Sequence, residues 1–442
     1  MQVYGWGRYP RLEATVALPQ SEGAFIEYLQ RTQSETPTAH SHSLIARGLS
    51  RSYGDSSLAS TVLETQYLNH FQSFDEATGL LSCEAGVSLA QILEVFVPRG
   101  WFLPVTPGTR FVTVGGAIAS DVHGKNHHIS GTFCEHVTQM EMILGNGEKI
   151  STSPTEHPEL FHATCGGMGL TGIILSASIR LIRIQSSEIV QTTIKAPNLA
   201  AVLQAFEDHQ DATYSVAWID CLATGRYLGR SLLMLGEHAE EGPLLTQGNK
   251  AIPIPMDMPA FLLNQTTISA FNTLYYNKTL QAKSTRRIAY EPYFYPLDAL
   301  ANWNRLYGQS GFIQYQFVLP KAAGEIGLRE VLERIASSGK GSFLAILKVF
   351  GKANQNLLSF PIDGYTLALD FKVEPSLFEL LNELDQLVLK YRGRLYLTKD
   401  ARMTESTFKS SYPRWSEFED IRKQFFAIGN FASHQSQRLG LQ

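Results

Sequence analysis

The segment from Thr106 to His128 combines a run of small residues with a dense cluster of polar side chains. Gly115 and Gly116 are adjacent in it, and a backbone without Cβ atoms can lie directly against a flat or charged ligand. The segment ends in His123-Gly-Lys-Asn-His-His128, whose side chains offer several donors to such a ligand. This composition predicts a loop that binds a cofactor.

Two further glycine-bearing segments could contact a cofactor. The segment Ala46–Ser56 follows a predicted strand, Ser43–Arg47, and consecutive N–H groups in such a turn form a nest suited to a pyrophosphate. The segment Gly166–Gly172 has the GxGxxG spacing of Rossmann domains, but it precedes the β-like run Ile173–Ile182 when a Rossmann fingerprint should follow a strand. The sequence therefore disfavours a Rossmann domain.

Nearby histidines raise the alternative of a metal site: His123, His127, His128 and His136. No carboxylate or cysteine pattern completes such a site with recognisable ligand spacing. Lys125 and Asn126, which lie among them, are better suited to hydrogen bonds with a phosphate or a flavin. We therefore expect no metal and a cofactor contact for His123.

Near the C-terminus, a predicted strand, Arg394–Leu397, leads into Lys399, Asp400 and Arg402. A lysine at the end of a strand is usually a solvated charge. Beside a cofactor loop it would instead stabilise negative charge that develops on an electron-accepting ring. Both interpretations of Lys399 remain open.

Short strands and helices alternate over the first 185 or so residues and would position these loops. Leu80–Glu84 is a predicted strand, and Ser88 with Gln91 forms a capping box that begins a helix. From Phe312 the order strand, helix, strand, strand, helix, strand is ferredoxin-like. Its predicted elements are Phe312–Leu319, Ile326–Ser337, Ser342–Phe350, Tyr365–Phe371, Ser376–Lys390 and Arg394–Leu397.

Strand alternation places Gln314 and Gln316 on one face of the first of these strands, and Lys348 is the only charge in its own strand. A polar pocket wall and a solvated sheet face explain this pattern equally well. Earlier in the chain, Ala251–Tyr276 is rich in proline and then strongly apolar. Buried packing is the favoured explanation there, with a lid or a lipid-facing flap as the alternative.

Composition excludes several classes of protein. The 442 residues include 37 Lys+Arg and 41 Asp+Glu, a net charge of -4, so no basic excess indicates nucleic-acid binding. No apolar run reaches the roughly 18 residues of a membrane-spanning helix, and the first residues do not resemble a signal peptide. The 4 cysteines form no CxxC pattern and predict buried thiols. We expect a cytoplasmic globular protein.

Two motifs carry a family resemblance. Arg47-Gly-Leu-Ser-Arg-Ser-Tyr-Gly-Asp55, together with Pro107-Gly-Thr and the Gly-Gly and His-Gly-Lys-Asn-His-His128 elements, resembles the vanillyl-alcohol-oxidase (PCMH) type of FAD-binding domain. More narrowly, the chain is similar to the decaprenylphosphoryl-ribose oxidase subfamily. That likeness extends through Gly5–Arg8, Phe312–Val318, Ser359–Ile362 and Tyr396–Asp400.

The resemblance implies an α+β fold. It comprises a PCMH-type FAD-binding domain with two α/β subdomains, at residues 1–185, and a substrate cap domain with an antiparallel sheet, at residues 186–392. Residues 393–442 would return to the FAD domain.

The resemblance also implies which residues contact non-covalent FAD: Ala46, Arg47, Gly48, Leu49, Ser50, Arg51, Ser52, Tyr53, Gly54, Asp55, Ser56, Gly108, Thr109, Thr113, Val114, Gly115, Gly116, Ser120, Asp121, Val122, His123, Ile174 and Tyr396. Substrate contacts are expected from Gln314, Gln316, Lys348, Thr366 and Lys125. Lys399 would lie by the pyrimidine end of the flavin, and Lys399, His123 and Tyr53 are the candidate bases for the hydroxyl proton.

The implied reaction is oxidation of a sugar secondary alcohol, most specifically the 2′-hydroxyl of polyprenyl-phosphoryl-β-D-ribose. A short-chain dehydrogenase partner would then reduce the keto sugar to the arabinose epimer. Because the implied substrate is a lipid, peripheral contact of the enzyme with the inner membrane is a further expectation. One alternative is an aldonolactone or alditol oxidase that uses soluble sugars and oxygen. Another is a flavoprotein that binds a ligand without turnover.

Two departures from the family pattern lead to expectations. Covalent relatives attach FAD through a histidine where this chain has Arg51, so we expect dissociable FAD. Members of the subfamily carry a cysteine near Thr366, where this chain has Ala368. A thiol-directed inhibitor should find no target there.

Overall fold

The computed structural model describes residues 1–34, 43–246, 251–259 and 262–441. The strands of the first part of the chain are β1 (Gln2–Tyr4), β2 (Arg11–Glu13), β3 (Thr15–Ala17), β4 (Leu44–Arg47), β5 (Thr61–Glu64), β6 (Phe71–Asp75), β7 (Leu80–Glu84), β8 (Trp101–Phe102), β9 (Val137–Ile143), β10 (Lys149–Thr152), β11 (Ile173–Arg180) and β12 (Ile182–Arg183). Those that follow are β13 (Glu188–Ala196), β14 (Tyr214–Ile219), β15 (Ser231–His238), β16 (Ile252–Pro253), β17 (Lys283–Ala289), β18 (Leu300–Ala301), β19 (Phe312–Pro320), β20 (Ala345–Phe350), β21 (Gly364–Lys372) and β22 (Arg394–Leu395).

The α-helices of the first part of the chain are α1 (Glu22–Ser34), α2 (Leu89–Phe96), α3 (Val114–Ala119), α4 (His127–Ser130) and α5 (Pro158–Thr164). They are followed by α6 (Leu199–Glu207), α7 (Gln265–Asn277), α8 (Tyr290–Phe294), α9 (Gly324–Ser338), α10 (Pro375–Lys390), α11 (Glu405–Ser411), α12 (Trp415–Gln424) and α13 (His434–Arg438).

Two small sheets carry the N-terminal glycine loops. β3, β5 and β4 form a parallel sheet in that order, and β10-β9-β11-β7-β6 form an antiparallel one. The capping box of Ser88 and Gln91 is confirmed at the start of α2. The Gly166–Gly172 segment lies between α5 and β11, so the expectation that it is not a Rossmann fingerprint is confirmed.

An eight-stranded antiparallel sheet, ordered β17-β13-β15-β14-β20-β21-β19-β22, dominates the rest of the molecule. The predicted β-α-β-β-α-β order is confirmed in β19, α9, β20, β21, α10 and β22. A second unit of the same order precedes it: β13, α6, β14, β15, α7 and β17. The two units join edge to edge where β14 pairs with β20.

The first of these units was not predicted from the sequence. An insertion that includes the short strand β16 separates β15 from α7 and interrupts the regular spacing of elements. The fold therefore contains an internal structural repeat, and its two halves contribute adjacent strands to one sheet.

The two faces of this sheet are covered differently. Helices α9 and α10 pack on the face of Tyr315, whose hydroxyl donates to the Asp385 carboxylate of α10 at 3.0 Å. The opposite face, which carries Gln314 and Gln316, lines a cavity. Of the two explanations left open for this polar face, the pocket wall is confirmed.

Several predicted boundaries differ from the structure. β20 begins at Ala345, because the Ser342 hydroxyl bonds the backbone of Leu344 and the amide of Asp370. β22 ends at Leu395, after which the chain forms a 3₁₀ turn. The run Ile173–Ile182 is divided, since Ile182 belongs to β12 and pairs with β8.

Buried packing was the wrong expectation for the described part of Ala251–Tyr276. Ile252 and Leu274 are 67% and 73% exposed, and the buried residues of α7 are Ile268 and Asn272. α7 thus exposes two large apolar side chains, Phe271 and Leu274, among mostly polar ones. Residues 260 and 261 lie outside the described residues.

Across the described ranges, none of the helices is both long and apolar enough to span a lipid bilayer.

Candidate active site

A cavity of about 1360 Å³ lies between the glycine loops and the polar face of the eight-stranded sheet. One wall consists of loop residues from 46–57, 106–125 and 168–174, and the opposite wall consists of side chains from β13 to β21. We call these the loop wall and the sheet wall. Tyr396, Thr398 and Lys399 lie where the two walls meet.

The loop wall presents backbone N–H groups. Within the described chain, none of the consecutive amides of residues 48–52 donates a hydrogen bond to another residue. Ser50 has φ +55°, a left-handed conformation that turns the loop sharply. Unpartnered amides in such a turn form an anion-binding nest, so this loop fits the pyrophosphate of a dinucleotide.

The same loop is clamped to the C-terminal segment. Asp55 is fully buried and accepts hydrogen bonds from Arg438 Nη2 at 2.8 Å and His434 Nδ1 at 2.7 Å. Arg438 also pairs with Asp400 at 2.8 Å. Gly54 packs so tightly that a Cβ atom there would overlap the Asp400 carbonyl oxygen. The clamp holds the nest next to the segment that carries Lys399.

Glycines also let the second loop approach the first. Thr113 begins α3 by accepting a hydrogen bond from Gly116 N at 3.1 Å. A Cβ atom at Gly48 would overlap the Thr113 side chain, and one at Gly115 would lie 3.1 Å from the Ala85 Cβ. The loop wall is therefore built from close backbone contacts that side chains would prevent.

His123 lies at the meeting point of the two walls. Its Nε2 is 3.1 Å from Nε2 of Gln316, and its ring packs against Phe350, Phe360 and Tyr396. Burial lowers the pKa of His123 well below its usual value, with neighbouring Lys348 adding to the effect. Because the Gln316 amide donates to Nε2, the neutral ring carries its proton on Nδ1, a buried atom without a partner in the described protein.

The other clustered histidines have structural contacts. His127 Nδ1 accepts from Gly351 N at 3.1 Å, while Nε2 of His128 and of His136 each bond a backbone carbonyl at 2.9 Å. In the described residues, no group of three or more His, Cys, Asp or Glu side chains is placed to hold a metal.

The sheet wall is polar at its β19 end. Gln314 donates to the Asp370 carboxylate at 2.6 Å, and Gln316 donates to the Thr366 hydroxyl at 3.3 Å. Thr366 in turn donates to the Phe317 carbonyl at 2.8 Å. Both glutamines are thus oriented by hydrogen bonds to side chains of β21.

Three lysines extend into this cavity, and no carboxylate oxygen of the described chain lies within 4.0 Å of their ammonium groups: Lys125, Lys348 and Lys399. Burial lowers the pKa of Lys125 and of Lys399 to about 7 and that of Lys348 to about 8. Asp370 opposes the effect of burial on Lys399 through its negative charge. The ammonium of Lys399 lies 3.6 Å from the centre of the Tyr53 ring.

Most predicted site residues line the cavity: Ala46, Arg47, Gly48, Leu49, Ser50, Arg51, Ser52, Tyr53, Ser56, Gly108, Thr109, Thr113, Gly115, Gly116, Ser120, Val122, His123, Lys125, Ile174, Gln314, Gln316, Lys348, Tyr396 and Lys399. Those placed behind its surface are Gly54, Asp55, Val114, Asp121 and Thr366. These residues position their neighbours.

Asp121 illustrates this supporting role. Its fully buried carboxylate accepts hydrogen bonds from Asn354, Asn356 and Ser359 at 2.6 to 2.8 Å. It therefore joins the loop wall to the segment that follows β20.

Asp370 is a site residue that was not predicted from the sequence. Its carboxylate is buried, and burial raises its pKa to about 7 against the opposing effect of the Gln314 hydrogen bond and of Lys399. Alternation within β21 puts it on the face of Thr366 and Ala368, and that signal was available. What the sequence lacked was the register that pairs Asp370 with Gln314.

The two departures from the family pattern both lie at the cavity. Arg51 stacks on Trp6, with its guanidinium carbon 3.9 Å from the ring centre. Ala368 lines the sheet wall. The four cysteines, Cys83, Cys134, Cys165 and Cys221, are free and buried, and none lines the cavity that the described residues form.

Comparison with known proteins agrees with this geometry. A family model described as an FAD binding domain matches residues 15–153. Decaprenylphosphoryl-beta-D-ribose oxidase of Mycolicibacterium smegmatis is 37% identical over 100% of this chain and 97% of its own length. An uncharacterized protein of Streptomyces coelicolor is 30% identical over 80% of this chain and 100% of its own length. A putative D-arabinono-1,4-lactone oxidase of Neurospora crassa is 31% identical over 28% of this chain and 22% of its own length.

The full-length similarity and the FAD-binding match identify the same class of enzyme, and the unpartnered loop amides fit the pyrophosphate of its cofactor. The chain belongs to the decaprenylphosphoryl-β-D-ribose oxidase family of FAD-dependent oxidoreductases, and its cofactor is FAD.

Proposed function

We propose that this enzyme oxidises the 2′-hydroxyl of a polyprenyl-phosphoryl-β-D-ribose to the 2′-keto sugar. The observation that carries the proposal is the pair of buried cavity lysines Lys125 and Lys348, whose ammonium groups have no carboxylate oxygen of the described chain within 4.0 Å. Burying these two amines in their charged form is costly unless an anionic ligand compensates them. A phosphoryl sugar supplies that charge, and the full-length relative is named for such a substrate.

The chemistry that bound FAD would supply is that of an electron acceptor for the hydride of the carbinol carbon. The nest of residues 48–52 would hold its pyrophosphate, and the loop residues that line the cavity would surround the rest of the cofactor. Gln314 and Gln316 would hydrogen-bond the sugar hydroxyls, while Lys125 and Lys348 would face the phosphate. Arg51 leaves no histidine at that position for covalent attachment, so the cofactor is dissociable.

We assign Lys399 as the base that accepts the proton of the substrate hydroxyl. With its pKa lowered to about 7, a large fraction of this amine is neutral at physiological pH and able to accept a proton. The ammonium that results places positive charge where the two walls meet, which favours negative charge developing there. One side chain thereby serves as base and then as electrostatic stabiliser.

The other candidate bases are less suited to the task. Burial raises the pKa of Tyr53 well above its usual value, so its phenol stays protonated. The low pKa of His123 makes it a weak base, and its hydrogen bond with Gln316 suits it to orienting that side chain.

Anaerobic addition of a polyprenyl-phosphoryl ribose to the FAD-loaded protein tests the proposal. We expect the visible flavin absorbance to bleach and the keto sugar to appear by mass spectrometry. Xylitol and an aldonolactone serve as comparison substrates. Bleaching by these soluble sugars, together with no response to the phosphoryl ribose, would overturn the proposal in favour of an alditol or aldonolactone oxidase.

We further propose that residues 1–185 and 393–442 form the FAD domain and residues 186–392 the cap. We also propose that a short-chain dehydrogenase completes the epimerisation and that the enzyme contacts the inner membrane peripherally. The exposed apolar side chains Leu274 and Leu280 on and after α7 support membrane contact. Unchanged liposome association after Leu274→Gln and Leu280→Gln would contradict it.

A further inference from the structure

Rows of side chains that cross the strands of the sheet wall change abruptly from polar to apolar. Strand register places Gln316, Ala368, Ile346, Trp218 and Leu232 opposite one another on consecutive strands from β19 to β15. The row begins with an amide and continues with apolar side chains. With neighbouring strands about 4.8 Å apart, it spans roughly 19 Å.

The next row repeats this change. Thr366 pairs with Lys348 across β21 and β20, and Val216 pairs with Met234 across β14 and β15. In these two rows the polar end thus belongs to the second repeat unit and most of the apolar end belongs to the first, while β13 and β17 beyond them line the cavity with polar side chains, Gln191, Thr193, Ser284 and Arg286. We call Val216, Trp218, Leu232, Met234 and Ile346 the apolar floor; all line the cavity.

Helix α7 packs along one side of the apolar floor. The Tyr275 ring lies 4.7 Å from that of Trp218, and Phe271 stacks on Tyr275. Beyond the floor, the loop between α7 and β17 reaches the same cavity, and its Leu280 is 92% exposed. The cavity therefore extends from the glutamines, over an apolar surface, to an opening at the molecular surface.

We infer that the apolar floor binds the first isoprenoid units of the lipid chain of the substrate and makes the enzyme selective for a chain over a bare phosphoryl sugar. This inference rests on the proposed function. With the sugar at Gln314 and Gln316 and the phosphate facing Lys348, the chain leaves the phosphate next to Ile346, which is two residues away on the same strand. An apolar chain that covers the apolar surface of this continuous cavity removes that surface from water, which favours binding.

The occupant is a polyprenyl chain and not a second protein. The floor is one wall of the cavity that holds the glutamines and lysines, so whatever lies on it continues from the ligand of those residues. A polar soluble sugar would leave the floor uncovered.

Farnesyl phosphate and dimethylallyl phosphate test the floor without requiring turnover. We expect isothermal titration of the FAD-loaded protein to show at least tenfold tighter binding of the farnesyl compound, because each buried methylene adds to affinity. Met234→Gln with Ile346→Gln should reduce that ratio towards one. Ile326→Gln, an exposed apolar residue on α9, is the matched control and should retain it.

Two results would overturn the inference: equal affinity of the wild-type protein for the two phosphates, or a wild-type ratio in a folded double variant. Flavin bleaching by farnesyl-phosphoryl ribose is measured separately. If chain-dependent binding is found without bleaching, the floor stands and the proposed oxidation fails. If bleaching occurs with no dependence on chain length, the oxidation stands and the floor fails.

Discussion

The two walls of the cavity recognise ligands by opposite means. The loop wall offers backbone amides, and its close packing depends on positions without a Cβ, such as Gly48 and Gly54. The sheet wall offers side chains held in register, such as Gln314 and Lys348. Adding atoms should therefore disrupt ligand binding by the loop wall, whereas removing atoms should disrupt the function of the sheet wall.

The largest expected effect comes from removing a side chain where the walls meet. Lys399→Ala should retain the fold and FAD but lower kcat by about 10²–10³-fold, the usual cost of losing one well-placed electrostatic group. Anaerobic stopped-flow measurement of flavin reduction checks this. The exposed Lys352→Ala is the matched control and should be neutral. Near-normal reduction by the Lys399 variant would remove it from the chemistry.

Adding a single Cβ to the loop wall should have the next largest effect. In Gly54→Ala the new methyl group would overlap the Asp400 carbonyl, and relief of that overlap costs about 3 kcal/mol of unfolding free energy. We expect a lower Tm and loss of FAD on gel filtration. Gly23→Ala in α1, where the nearest atom would lie 4.0 Å away, is the control. Equal FAD retention by both variants would contradict the clamp.

A charge change on the sheet wall should shift the pH profile without unfolding the protein. Since neutral Lys399 is the base, kcat should rise with pH through about 7 and level off above it. Asp370→Asn removes a carboxylate that raises the pKa of Lys399, so the inflection should move to lower pH by roughly one unit. An unchanged or raised inflection would separate Asp370 from Lys399.

The smallest change tests how much room the sheet wall has. Ala368→Cys adds one atom to a cavity-lining position and should barely affect turnover, while creating a thiol that maleimide labels. The four native cysteines are buried, so we expect no rapid labelling of the native wild-type protein. Intact-mass spectrometry measures both, and rapid labelling of the wild type would show that a native thiol is accessible.

The sequence predicts some features of these two walls and not others. Glycine-rich motifs in the Ala46–Ser56 loop indicate backbone binding before any partner is known, and alternation in β19 places the glutamines on one face. Asp370 needed strand register, and the first repeat unit was hidden by the insertion after β15. The clamp between Asp55 and Arg438 joins residues 383 positions apart, which no local pattern reveals.

That separation also has a consequence for biosynthesis. At roughly 5–20 residues per second, a ribosome reaches Arg438 some 20 to 80 seconds after Asp55. During this interval the buried carboxylate of the finished protein has no guanidinium to neutralise it. Capture of FAD should therefore follow translation, and nascent chains that end before α13 should emerge colourless.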